Sequence, residues 1–92
     1  MGITGEARTW QTRPGLLYRA LADGGMIYDG ESEQVHHLNA TASLVWERCQ
    51  GGATSAELAE GLCSRYAVEV AQAQADVERI LQYLADARLL QP

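Results

Sequence analysis

The sequence changes its period once, and every other assignment has to fit around that change. From Gln34 to Trp46 it reads Gln34-Val35-His36-His37-Leu38-Asn39-Ala40-Thr41-Ala42-Ser43-Leu44-Val45-Trp46. The first part is a short β-prone run. After Asn39 the apolar positions Ala42, Val45, Trp46 and Cys49 fall on one helical stripe, with Leu44 at its border. Asparagine is a strong N-cap, because its side chain accepts a backbone amide two or three residues on. A strand that runs straight into a helix obliges a strand-rich half and a helix-rich half to pack through one junction.

On the strand side, Leu16 to Leu21 predicts a first strand and Met26-Ile27-Tyr28 a second. Asp23-Gly24-Gly25 between them is expected to be a tight turn whose glycines accept positive φ. Asp29-Gly30-Glu31-Ser32 supplies another turn, and Glu33 to Leu38 a third strand. Strands joined so closely form an antiparallel meander. Residues 1–14 show no period and are expected to be a flexible N-terminal arm, leaving 15–92 as the folded domain. Trp10 is the exception, since its large apolar surface should fold back on the domain or meet a second chain.

On the helix side, Gly51-Gly52 stops the first helix. Thr54 followed by Glu57 is a capping box, and it opens a second helix with Leu58, Leu62 and Tyr66 in line, ending near Tyr66-Ala67. A longer third helix begins around Val70 and carries Ala73, Val77, Ile80, Leu81 and Leu84 on one face. Leu89-Leu90 is expected to close the bottom of the core. The fold class is α+β: a three-stranded antiparallel sheet followed by three helices on one face, winged helix-turn-helix-like in its order.

The residue types exclude more chemistry than they suggest. Ninety-two residues bury only about 60–65% of the surface exposed in the unfolded chain, which favours a single core over an enclosed active site. His36 and His37 are adjacent, so in a strand they point to opposite faces, and no Cys, His or Asp stands at ligand spacing beside them. One half-buried and one exposed histidine is the expected arrangement, with no metal. Cys49 and Cys63 lie outside any CxxC spacing and read as reduced core residues. The serines Ser43, Ser55 and Ser64 lie in helices without a nucleophile-elbow frame. No glycine pattern matches a phosphate-binding loop. The chain is therefore expected to be no enzyme and to need no cofactor.

The net charge is −5, and the seven basic residues, all arginine, are scattered. Nucleic-acid binding needs a concentrated positive face, so a winged-helix DNA-binding or regulatory module ranks second. No apolar run approaches the ~18–20 residues of a membrane span. The N-terminus has no signal-peptide pattern, and a cytoplasmic protein without membrane contact is expected.

Binding remains. A meander has two edges, and an unpaired edge is a template for another strand. Glu33, Gln34, Val35, His36, His37 and Leu38 contain neither proline nor lysine to block such pairing. Whether this edge is open or covered by the N-terminal arm, the residues alone leave undecided. An open edge could also pair with itself, making a self-associating subunit: an edge-paired or swapped homodimer rather than a monomer.

The run His37-Leu38-Asn39-Ala40-Thr41-Ala42 with Val45-Trp46 resembles the PqqD family, named for coenzyme PQQ synthesis protein D. Gly51-Gly52, Thr54, Glu57-Leu58-Ala59, Tyr66-Ala67-Val68, Asp76-Val77, Leu81, Leu84 and Leu89-Leu90 extend the similarity over roughly residues 16 to 91. The chain departs from the pattern at His37, where many members are apolar, and at Arg88, where many have glycine before the final Leu-Leu. The resemblance implies a fold of three strands and three helices. The implied function is recognition of the leader segment of a ribosomally made precursor peptide, presented to a modifying enzyme that is often a radical-SAM protein. The leader is expected to add as a strand beside Glu33 to Leu38. The opposite wall would come from Asp76, Val77, Arg79, Ile80, Tyr83 and Leu84, while Asn39 and Trp46 are expected to be structural.

Overall fold

The computed structural model describes residues 8–91. In order they form β1 (Thr9–Trp10), β2 (Leu16–Leu21), β3 (Gly24–Asp29), β4 (Gln34–Asn39), α1 (Ala40–Cys49), β5 (Ala53–Thr54), α2 (Ser55–Tyr66) and α3 (Val70–Asp86). The strands β2, β3 and β4 make an antiparallel meander in that order, and β1 and β5 make a separate two-stranded sheet. The α+β class and the three-strand, three-helix order are as expected; the small second sheet is an addition to them.

The junction is a single residue wide. Asn39 is the last residue of β4, and its Oδ1 also accepts a 2.8 Å hydrogen bond from the Ala42 amide at the start of α1. A side-chain cap of this kind is worth about 1 kcal/mol. Beyond it, Val45, Trp46 and Cys49 are buried against Leu38, Ile27 and the helices behind them. Ile27, Leu38 and the half-buried Tyr18 and His36 project from the inner face of the sheet, since Tyr18 pairs with Ile27, Ile27 with His36, and Gly25 with Leu38.

Gly24 and Gly25 do not form the turn. They are the first two residues of β3, the turn is Ala22-Asp23, and neither glycine has positive φ. They are small because of close approach. A Cβ on Gly24 would stand 2.0 Å from the Leu38 carbonyl oxygen, and one on Gly25 would meet Tyr18 and Ser43 within 2.7 Å.

The capping box is present: the Glu57 amide donates to Thr54 Oγ1 at 3.1 Å and the Thr54 amide to Glu57 Oε1 at 2.9 Å. Helix α2 ends at Ala67, whose φ of 54° is left-handed, and α3 packs its Ala73, Val77, Leu81 and Leu84 face on the core. Tyr66, expected on the buried stripe of α2, is 39% exposed at its last turn. Leu89 and Leu90 are buried and close the core from below.

Residues 1–7 of the expected flexible arm lie outside the described residues. Its remainder is tied down. Thr9 and Trp10 pair with Thr54 and Ala53, the Thr12 amide donates to the Cys49 carbonyl at 3.1 Å, and the Arg13 amide donates to that of Leu89 at 2.9 Å. Trp10 folds back and donates from Nε1 to Ser55 Oγ at 3.2 Å. Two-residue strands and single bridges are too short to leave a period, which hides this attachment from sequence reading.

Candidate functional site: the cleft between the third meander strand and the last helix

Strand β4 is an edge of its sheet. Among the described residues no other strand pairs with its far side, because the N-terminal segment runs to β5 and to Leu90 instead. Hydrogen-bonded pairs alternate along an antiparallel ladder, and the pair that closes a two-residue turn is a bonded one. Counted from Leu21 and Gly24 around Ala22-Asp23, the alternation gives Gln34, His36 and Leu38 bonds to β3. It directs the backbone groups of Val35 and His37 toward the free edge.

Helix α3 faces that edge across a cleft. Tyr83 reaches over it: its hydroxyl lies 3.4 Å from His36 Nδ1, and the two rings meet edge to face with centroids 6.5 Å apart. This contact lies between two recesses. One, of about 290 Å³, is lined by His37, Leu38, Asn39, Thr41, Ala42, Asp76, Arg79, Ile80 and Tyr83. Its floor is apolar and its rim carries a neutralised pair, with Asp76 Oδ1 accepting from Arg79 at 2.9 Å and from Gln72 at 2.9 Å. The other, of about 530 Å³, lies among Arg13, Asp29, Glu31, Gln34, His36, Asp86 and Arg88.

In the second recess Arg13 donates to Asp29 Oδ2 at 2.6 Å and to the Arg88 carbonyl at 2.8 Å. Burial alone would raise the Asp29 pKa. The Glu31 amide bonded to its carboxylate, the Arg13 charge and Ser32 together outweigh that and hold it below the usual 3.8. Burial pushes the Cys49 thiol up to about 11, so it is an unreactive core group. No group of three or more His, Cys, Asp or Glu able to hold a metal occurs among the described residues.

A family model described as coenzyme PQQ synthesis protein D (PqqD) matches residues 24–90. The chain belongs to the PqqD family. Three solved structures share its fold. TbiB1 in complex with the TbiA(beta) leader peptide is 20% identical, covers 88% of this chain and 94% of its own, and has a TM-score of 0.79. A lasso peptide synthetase B1 complexed with the leader peptide is 29% identical, covers 90% and 98%, and scores 0.78. The PqqD truncation of Methylobacterium extorquens PqqCD, described as a functional, stand-alone recognition element for ribosomally synthesized and post-translationally modified peptides, is 22% identical, covers 91% and 89%, and scores 0.74. A search of curated proteins returns no match to the chain.

Within this PqqD-family fold, Gln34 to Leu38 lie on β4, and Asp76, Arg79, Ile80 and Tyr83 line the first recess. Glu33 does not join the strand: it ends the preceding turn with a left-handed φ of 59°. Val77 and Leu84 are 1% and 0% exposed, so they belong to the core and offer no surface to the cleft. The resemblance placed them in the cleft wall by element, whereas the apolar stripe sets them on the buried face, some 100° from their neighbours Asp76 and Tyr83. Thr41 and the second recess were missed, because Arg13 and Asp29 meet there only through the attachment of the N-terminal segment. Arg88, where many PqqD-family chains have glycine, holds a φ of 62°.

Proposed function

We infer that the protein is a non-catalytic adaptor that binds the leader segment of a ribosomally synthesised precursor peptide and holds it for a peptide-modifying enzyme. The observation that carries this reading is the unpaired edge of β4 set beside the α3 cleft, in a chain of the PqqD family. Strand addition supplies main-chain hydrogen bonds from Val35 and His37, and the side chains of alternate leader residues enter the recesses beside His36 and Leu38. Gln34 to Leu38 form one wall, with Asp76, Arg79, Ile80 and Tyr83 opposite. The leader complexes of two structural relatives support this reading, as does the recognition-element description of the third.

The partner enzyme belongs to the class that modifies such peptides, radical-SAM proteins among them, and the adaptor works in the cytoplasm. Free, it is a monomer or pairs through the same edge with a second copy; the leader then competes for that edge. No helix among the described residues is long and apolar enough to cross a membrane.

Replacing Val35 with proline removes one free-edge amide without touching the core. Calorimetry with a synthetic leader of the cognate precursor peptide is expected to show at least a tenfold loss of affinity, with helical circular dichroism unchanged. Unchanged affinity would remove β4 from the binding site.

A further inference from the structure

The cleft beside β4 is not one continuous slot. Alternate strand residues share a face, so Gln34, His36 and Leu38 succeed one another along the inner side of β4. Leu38 opens into the first recess and Gln34 into the second, the larger of the two at about 530 Å³. His36 stands between them with its ring turned to Tyr83 of α3. The two rings meet edge to face, and the Tyr83 hydroxyl lies 3.4 Å from His36 Nδ1. Strand and helix are joined across the cleft at this one point.

A strand added to the free edge of β4 has to fit this division. Its cleft-facing residues lie opposite Leu38, His36 and Gln34, and along a strand such residues are two apart. Side chains directly across an antiparallel pair stand about 4.5–5.5 Å apart at Cβ. The peptide residue opposite His36 therefore comes up against the joined rings, which leave room only for a small side chain. The residue opposite Leu38 enters a recess with an apolar floor. The residue opposite Gln34 enters a recess of different character, where Arg13 and Arg88 face Asp29, Glu31 and Asp86, two positive charges against three negative. Arg13 is already bound to Asp29. This recess also lies at the C-terminal end of α3, the negative end of the helix dipole, and that helix has no basic residue in its last turn. A long cationic side chain complements both.

We propose that the His36–Tyr83 contact makes the cleft select its leader by spacing: an apolar residue and an arginine or lysine four positions apart, with glycine, alanine or serine midway. In antiparallel addition the apolar residue is the more N-terminal of the two. His36 and Tyr83 are then specificity-determining residues, which act by excluding large side chains rather than by binding one. The inference deepens the leader-binding reading above and rests on it, and the following experiment separates the two.

The probe is a synthetic leader of the cognate precursor peptide, changed at one position at a time, with affinity read by calorimetry at low salt. Three positions spaced two apart are expected to respond. At the middle one, phenylalanine in place of the small residue is expected to cost at least about tenfold. Tyr83→Ala, which changes a side chain 46% exposed and leaves the core alone, is expected to bring that gap below about threefold. The gap is read between two peptides within each variant, so a general loss of affinity does not enter it. At the basic position, glutamate is expected to cost about fivefold, and Asp86→Lys to remove or reverse that preference. Helical circular dichroism reports that both variants are folded. A phenylalanine penalty that Tyr83→Ala leaves intact overturns the selection by spacing, as does a native leader with a large residue at the middle position. A charge preference indifferent to Asp86→Lys overturns the cationic assignment of the second recess. A parent that binds leader without the spaced pattern strikes this inference alone, whereas a parent that binds no leader strikes the leader-binding reading and the inference with it.

Discussion

Arg88 holds its backbone at φ 62°, a conformation that costs a residue with a Cβ about 1–2 kcal/mol. It sits at the C-terminal end of α3, between the helix and the buried Leu89, where the chain must turn sharply to close the core. Its carbonyl accepts the 2.8 Å bond from Arg13 Nε, an interaction that any residue at this position keeps. Arg88→Gly relieves the left-handed strain and loses about 0.4–1 kcal/mol to the freer unfolded chain. The net expectation is a gain of about 0.5–1 kcal/mol, read as a higher urea midpoint at unchanged slope. A lower midpoint would mean that the arginine side chain contributes contacts that outweigh its backbone. The sequence already showed Arg88 as a departure from the glycine of the family pattern, but it could not show that the departure falls on a left-handed residue. Glu33 is similar: its composition reads as strand, and only the closure of the β3–β4 turn puts it at φ 59°.

At the scale of elements, the strand-to-helix change at Asn39 was legible because a cap and a change of period coincide in a few residues. The glycines of β3 were not. Asp-Gly-Gly is turn chemistry by local rules, yet the hairpin turns one step earlier and spends both glycines on close approach. Gly24→Ala would drive a Cβ into the Leu38 carbonyl, an atom of the β4 backbone that cannot rotate away. Its expected cost exceeds the ~1–3 kcal/mol of ordinary overpacking, because the β3–β4 ladder itself must shift. Thermal unfolding measures the loss. A midpoint within a few degrees of the parent would contradict the close approach. For α3, the apolar stripe marked the buried side correctly, and the cleft wall was legible only as the strip next to it. The polar residues Asp76, Arg79 and Tyr83 were separable from Val77 and Leu84 by polarity, while the half-buried Ile80 serves both sides.

In the whole molecule, the N-terminal segment ties the sheet to the last helix through Arg13. Its guanidinium spans Asp29 of β3 and the Arg88 carbonyl after α3, contacts separated by 16 and 75 residues in sequence that no local pattern encodes. Because the folded-state pKa of Asp29 lies below its ordinary 3.8, this tie adds stability above that pH and loses it as pH falls through the folded value. Asp29→Asn is expected to flatten the stability–pH curve below about pH 4 and leave its shape near neutrality unchanged. An equally steep acid limb in the variant would place the acid sensitivity elsewhere. The same attachment keeps the described part of the N-terminal segment off β4, so the edge that sequence alone could not assign as open or covered is free among the described residues. In the proposed function a leader peptide occupies that edge. Amide hydrogen exchange with and without the leader of the cognate precursor reads that occupancy residue by residue. The predicted result is strong new protection of the Val35 and His37 amides, with those of Leu17 and Arg19 on the opposite edge strand β2 unchanged. Saturating leader that leaves Val35 and His37 exchanging at their free rates would contradict it.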